Sequence, residues 1–283
     1  MKIKALAGLS FGMCLAVAVA AVALAGPAFA GQTAWPTGVN ARYTLSFNGF
    51  DVGSYQFQSQ FDGKTYTASS NAEVSALFGA FKWKGTIESR GALAPAGPQP
   101  LAYQMNFKTK KKAGSVTLGF DKAGVQTVAL VPEKPPHPEA VPLKPENLKG
   151  VVDPMTTILA LTHATSANPC DKKIAVFDGK ARFDLVMSRK GTEKITDKQP
   201  SGQPALLVVC TVKYVPVAGH KPKDFVDPWV NYSGIEIALR SVPSAYVFVP
   251  YRITVPTSIG PAVMSVETVN ITAPGSVQIA LTK

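Results

Sequence analysis

Histidine and cysteine are scarce, with three of each in 283 residues. Neither is spaced for chemistry: the chain has no H-E-x-x-H, no metal-spaced Cys/His cluster and no glycine-rich phosphate loop. Zinc-protease and nucleotide-binding signatures are therefore missing. Charged residues make up only 17% of the chain against 46% apolar, a balance too apolar for disorder. Acids are the scarcer sign, 18 Asp and Glu against 29 Lys and Arg, which leaves a formal charge of +11. Glycine shows no three-residue period and there is only one long apolar run, so collagen-like and multi-span membrane classes are excluded.

That single run comes first. Lys2 and Lys4 precede an apolar stretch from Leu15 to Ala25 that ends near Ala28-Phe29-Ala30, the pattern of a signal peptide over residues 1–30. An uncleaved anchor is the rival reading; the polar chain after Gly31 and the A-x-A ending favour cleavage. Cys14 lacks the residues that precede a lipidated cysteine. Gly8-Leu9-Ser10-Phe11-Gly12 matches a nucleophile elbow only in letters, without strand-turn-helix context. Residues 31–283 are then expected to form a single β-rich domain in the periplasm. There Cys170 and Cys210 meet oxidising conditions, and a disulfide is the default. Closing a loop of about 40 residues stabilises by roughly 4 kcal/mol in the chain-entropy model. The rival, a reactive thiol or metal pair, lacks CxxC spacing and a neighbouring His.

Period-two alternation recurs along this stretch. Tyr43, Leu45 and Phe47 alternate with Thr44 and Ser46 before an Asn48-Gly49 turn; Tyr55, Phe57 and Phe61 alternate with glutamines before Asp62-Gly63. These read as hairpins. The pattern returns in Tyr103-Met105-Phe107, in Val116-Leu118-Phe120, after Asp178-Gly179 in Phe183-Leu185-Met187, and again in Ile235-Ile237-Leu239 and Val277-Ile279-Leu281. One buried and one wet face is expected of each strand. The proline-rich loop over 131–150, with Pro132, Pro135, Pro136, Pro138, Pro142 and Pro145, cannot join a sheet interior and separates two halves. After it, Asp153-Pro154 opens a stretch with Met155, Ile158, Leu159 and Leu161 on one helical face, Asp153 serving as N-cap. A shorter helix is expected over Val74 to Phe81.

Several of these segments resemble an uncharacterised bacterial envelope family, domain of unknown function 3108. They are the Tyr-rich first strands with Gly53, the Trp83 to Gly91 strand followed by Pro100-Leu101-Ala102-Tyr103, and the Asp153-Pro154 helix. Cys170 followed by Val176-Phe177-Asp178-Gly179-Lys180, and Cys210 followed by Tyr214 to His220, belong with them. The resemblance covers most of the chain after the signal and implies a curved antiparallel sheet with no established activity. In overall organisation the chain is also similar to alphaproteobacterial envelope-integrity proteins whose sheet curls into an open barrel or spiral, and to the half-barrels of periplasmic lipoprotein carriers. The expected fold is thus all-β: a long antiparallel sheet curled into an open barrel or β-spiral, with one main α-helix packed in the concavity.

Function is less legible, because fold does not fix it. His137 lies among prolines, His163 reads as a partly buried helix residue and His220 as a polar turn residue; Asp178 has a turn to make, while Asp184, Asp224 and Asp227 read as surface. No catalytic residue, metal or cofactor is assigned. Tyr43, Tyr55, Phe57, Tyr103, Met105 and Phe107 share the apolar parity of their strands. They are core if the sheet closes and a ligand-binding lining if it does not. Phe78, Phe81 and Trp83 near Gly79 read either as a lid or as the edge of the core. Lys108, Lys110, Lys111 and Lys112 crowd one hairpin end, either as a solvated edge guard or as a basic rim attracting anionic groups. The first expectation is a non-enzymatic periplasmic envelope protein binding a lipid-like or amphipathic molecule, with peripheral membrane contact. The second is a scaffold recognising peptidoglycan or an envelope protein through its basic face, and the third an envelope hydrolase. Nucleic acid is not expected, since no aromatic RNA-binding motif accompanies the charge.

Overall fold

A computed structural model describes residues 35–76, 79–133, 135–163, 168–195, 206–222 and 234–282. Seven strands come first: β1 (Gly38–Phe47), β2 (Phe50–Phe61), β3 (Thr65–Ala76), β4 (Phe81–Ala94), β5 (Gly97–Thr109), β6 (Ala113–Asp121) and β7 (Gly124–Val131). Helix α1 (Pro154–Thr162) follows. Seven more strands complete the chain: β8 (Lys173–Phe177), β9 (Arg182–Lys194), β10 (Leu206–Ala218), β11 (Ile235–Val242), β12 (Val247–Val255), β13 (Ala262–Thr272) and β14 (Gln278–Thr282). All fourteen belong to one antiparallel sheet in the order β7-β6-β5-β4-β3-β2-β1-β13-β12-β11-β10-β9-β8. It is two meanders joined where the first strand pairs with the thirteenth. β12 leaves β13 beyond Ser265, and β14 takes up the pairing from Thr268 to Thr272.

The turns follow from local chemistry. Asn48 and Gly49 both hold positive φ (49° and 85°), the geometry that matches strand twist in a two-residue hairpin. Asp62 caps its own turn, its carboxylate accepting the Lys64 and Thr65 amides at 2.8 and 2.6 Å. Register shifts between Arg42 and Tyr43, Arg90 and Gly91, Val209 and Cys210, and Ala238 and Leu239 mark bulges. Each bends its strand and increases twist, so the sheet curls. Its edges β7 and β8 do not pair with each other. The β8–β9 turn instead packs on the inner face of β6: a Cβ on Gly179 would lie 2.5 Å from Val116 Cγ1, so only glycine fits.

The proline-rich strap crosses from β7 to the opposite edge without joining the sheet as a strand. Val141 donates to the His220 carbonyl and accepts from the Gly219 amide, both at 2.8 Å, pinning the strap to the end of β10. Val152 then forms a parallel bridge to Val176 on β8. Helix α1 drops into the concavity and packs against β3, β4, β5, β8 and β12. Asp153 accepts from the Met155 and Thr156 amides at 2.8 and 2.9 Å, as its N-cap reading predicts, and Pro154 starts the helix. At the other end the Lys172 ammonium donates to the carbonyls of Ala160, Leu161 and His163 at 2.6–3.1 Å, favourable at the negative end of the helix dipole.

Three expectations change. Val74–Phe81 is not a helix: Val74 and Ala76 end β3, Phe81 opens β4, and they pair as Val74↔Trp83 and Ala76↔Phe81. Periodicity is ambiguous in so short an apolar segment, and the neighbouring strand settles it. The one-wet-face rule fails in β11 and β12, where Ala238, Arg240 and Val242 are as buried as Ile237 and Leu239. A separate cluster of Ile195, Leu207, Val209 and Ala238, with Tyr251 beside it, lies apart from the main core there. Asp184 is buried rather than superficial. Arg182 Nη1 lies 2.7 Å from its Oδ1, a charge contact without hydrogen-bond alignment, and Lys173 is 3.1 Å from its other oxygen. The two cations neutralise the carboxylate where it stands. Phe78, Asp224, Asp227 and residues 1–30, read as a signal peptide, lie outside the described residues.

Candidate functional site: an apolar channel inside the curl

An open curl with one helix in it leaves space on the helix's unfilled side. A small inner cavity of about 90 Å³ lies against α1, between Ile158 and Leu161 of the helix, Tyr43 of β1, Phe57 of β2 and Leu239 of β11. A larger outer cavity of about 640 Å³ lies towards the hairpin turns, walled by Leu45, Phe47, Val74, Phe81, Val255 and Ile259. Ile253 and Met264 line both, which makes the two cavities neighbours. The outer volume falls in the range of small-molecule sites, about 300–1,000 Å³. The inner one, at the size of about three waters, accepts only the tip of a chain. Both are walled almost wholly by apolar atoms.

The floor is sealed. Trp35 stacks on His163 at 3.8 Å between ring centroids and 12° between planes, and on Phe61 at 4.9 Å. Burial, and secondarily the Lys172 charge, lowers the His163 pKa to about 4, so its imidazole is neutral near pH 7. Its Nε2 is buried without a hydrogen-bond partner. On the far side of the helix sits a closed polar knot. Asp153, fully buried, takes bonds from the hydroxyls of Thr156 and Ser89, and Thr156 also meets Tyr66 Oη at 2.6 Å. Burial raises the Asp153 pKa against the opposing pull of those hydrogen bonds. Every member is occupied with another, an arrangement suited to fixing the helix start rather than to proton transfer. The hydroxyl-bearing residues lining the inner cavity are Ser59, Thr162, and Tyr43 and Tyr55, whose rings are 6.0 Å apart. Burial raises both phenol pKa values, so both stay protonated. Among the described residues no group of three or more His, Cys, Asp or Glu side chains is placed to hold a metal ion.

A model of the family described as Protein of unknown function (DUF3108) matches residues 42–267. The chain belongs to the DUF3108 family. The matched stretch runs from β1 into β13, so it takes in the strap, the helix, the whole outer cavity and most of the inner one. No curated protein and no solved structure matches the chain significantly.

The DUF3108 chain brings together half of the aromatic lining read from parity. Tyr43, Tyr55 and Phe57 line the inner cavity. Tyr103 is buried and Met105 packed in the main core, where the start of α1 lies against β5. Phe107 is half-buried with its ring over Gly114. Parity places all six on the inner face, but the helix fills the space in front of β5. Lys108, Lys110, Lys111 and Lys112 are exposed around the β5–β6 turn, which the Thr109 hydroxyl organises by accepting the Lys112 amide at 2.9 Å. The register Thr109↔Trp83, Trp83↔Val74, Val74↔Gly53, Gly53↔Leu45 places that turn on the same edge of the sheet as the channel mouth. Cys170 and Cys210 form the disulfide, Cα atoms 5.4 Å apart, in a second buried cluster with Met187 and Leu239. His137 is exposed near Glu139, and His220 Nε2 lies 2.7 Å from Tyr214 Oη. Sequence reasoning missed Ile253, Ile259 and Met264. The alternation Tyr251-Ile253-Val255 carried a signal for one of them; that β12 and β13 lie beside β1 did not show in the sequence.

Proposed function

We propose that this DUF3108 protein is a non-enzymatic, exported envelope protein that holds a lipid-like, amphipathic molecule in the channel, its apolar part among Leu45, Val74, Ile253 and Met264 and its polar end at the mouth. Two adjacent apolar cavities that share Ile253 and Met264 carry this reading. A sheet that fails to close over an apolar face leaves a surface whose coverage by a ligand is worth about 25 cal/mol for each Å² removed from water. The buried disulfide and the signal-like start support a periplasmic location. The fate of the polar side chains supports a binder over a hydrolase: His163 and Asp153 are sealed around the helix, and Asp184 is neutralised by two cations.

The test is binding of a soluble fluorescent fatty acid to the purified protein and to Ala76→Trp, which fills the outer cavity from a half-buried site. Wild type is expected to bind and the variant to bind at least about tenfold more weakly, a loss of about 1.4 kcal/mol, with unchanged thermal stability. Equal binding by both, or none by wild type, removes the channel as a site. A second reading, a scaffold using its basic face on peptidoglycan or a protein, draws on the small inner cavity, which leaves the floor nearly filled. Binding to sacculi without probe binding would favour it.

A further inference from the structure

The mouth carries a second feature that ligand binding alone does not require. Phe50, at the β1–β2 tip, is 76% exposed; Ile259, at the β12–β13 tip, is 73% exposed; Phe81, at the start of β4, is 49% exposed. The first two tips are joined, the Asn48 amide donating to the Pro261 carbonyl at 2.9 Å, with the Asn48 side chain packed on Gly260. Ile259 and Phe81 also wall the outer cavity, so the protruding side chains and the channel entrance are one structure. Soluble monomers seldom leave large apolar side chains grouped at hairpin tips without a partner.

The same edge is basic. Lys108, Lys110, Lys111 and Lys112 surround the β5–β6 turn, and Lys82 stands beside Gly79 at the β3–β4 turn. Among the described residues the acids near this edge are Glu73, held by Lys84 at 2.7 Å, Glu236, paired with Lys190, and the exposed Asp51 and Glu133. From β2 to β5 is three inter-strand steps, about 14 Å, so apolar tips and lysines fall within one contact patch. Apolar points flanked by ammonium groups are complementary to an interface that is oily within and anionic at its surface.

We propose that the channel mouth docks on an anionic phospholipid bilayer, with Phe50 and Ile259 entering the boundary between headgroups and acyl chains while the lysines meet the phosphates. The channel then opens into the hydrocarbon, and an acyl chain passes between leaflet and cavity without crossing water. That last step rests on the channel reading; the docking does not.

Flotation of the purified protein with phosphatidylcholine vesicles, with and without phosphatidylglycerol, tests it. Wild type is expected to float with the anionic vesicles at low salt and to be released by high salt. Lys110→Glu/Lys111→Glu/Lys112→Glu should lose about fivefold in partitioning for each charge removed. Phe50→Ser/Ile259→Ser should lose binding at every salt concentration, and Phe50→Trp should retain it and shift its fluorescence to the blue. All five positions are exposed, so unfolding temperatures should match wild type and report any misfolded variant. No flotation by wild type, or equal flotation by wild type and both multiple variants, overturns the docking. So does a concentration-dependent dimer that Phe50→Ser/Ile259→Ser abolishes, which assigns the face to a second copy. Ala76→Trp separates the two readings: flotation without probe binding in wild type removes the channel alone, and probe binding without flotation removes the docking alone.

Discussion

At the helix end of the curl, Asp153, Ser89, Thr156 and Tyr66 are buried polar groups that satisfy one another, while at the mouth Phe50, Phe81 and Ile259 are large apolar groups left in water. Each end does what is unfavourable in isolation. The knot makes polar burial tolerable by pairing, since an unpaired buried hydrogen-bonding group costs about 1–3 kcal/mol. The mouth has nothing among the described residues to cover it. The floor is therefore where stability resides, and the mouth is where substitution should change binding and leave the fold alone. Four perturbations, taken from the largest effect on stability to the smallest, put that division at risk.

Cys170→Ser or Cys210→Ser opens a 40-residue loop just past the floor and should destabilise by about 4 kcal/mol. Thermal unfolding should fall sharply, with bound probe retained below the transition. Thiol titration of the unreduced, denatured wild type should find neither cysteine free.

Asp153→Ala removes the helix cap and takes one hydrogen bond from each of the Ser89 and Thr156 hydroxyls, which keep each other and Tyr66 as partners. The expected cost is about 3 kcal/mol, the cap contributing about 1 and the two lost hydroxyl bonds about 1 each. A urea midpoint close to wild type would mean that the polar knot is ornamental and that the floor is held by apolar packing.

His163 gives the floor a pH dependence. Its folded pKa, about 4, lies below its ordinary 6.5, so the unfolded chain binds the proton more readily. Stability is then full above about pH 6.5 and is lost as pH falls towards 4, by roughly 2–3 kcal/mol at pH 4.5. Urea midpoints at pH 7 and 4.5 should differ more for wild type than for His163→Phe, which keeps the ring over Trp35 and cannot charge. Equal differences would show that the imidazole is reached by water.

At the mouth, Phe50→Ser should change stability by no more than about 0.5 kcal/mol, as for other exposed positions. A larger fall in unfolding temperature would show that the tip is packed, and the contrast between the two ends would collapse.

Much of this was readable in the residues. Alternation in Tyr43-Leu45-Phe47 and Tyr55-Phe57, the Asn48-Gly49 and Asp62-Gly63 turns, and the Asp153-Pro154 start are local signals, fixed by side-chain period and turn chemistry, and each marks the element found there. The pairing of Cys170 with Cys210 followed from there being two cysteines in residues 31–283. What the sequence left undecided was which apolar side chains stay open. Tyr103 and Tyr43 have the same parity on similar strands and both are core, yet only Tyr43 lines the cavity beside α1. Parity selects a face of a sheet, whereas curvature, the path of the proline strap and the landing place of the helix select which part of that face is filled. Those depend on contacts between residues far apart in the chain, such as Tyr66 with Thr156 and Val152 with Val176. The same reason hid the channel's far wall. Ile253 and Met264 join Leu45 only because the first strand pairs with the thirteenth, a meeting across more than two hundred residues for which no local pattern codes.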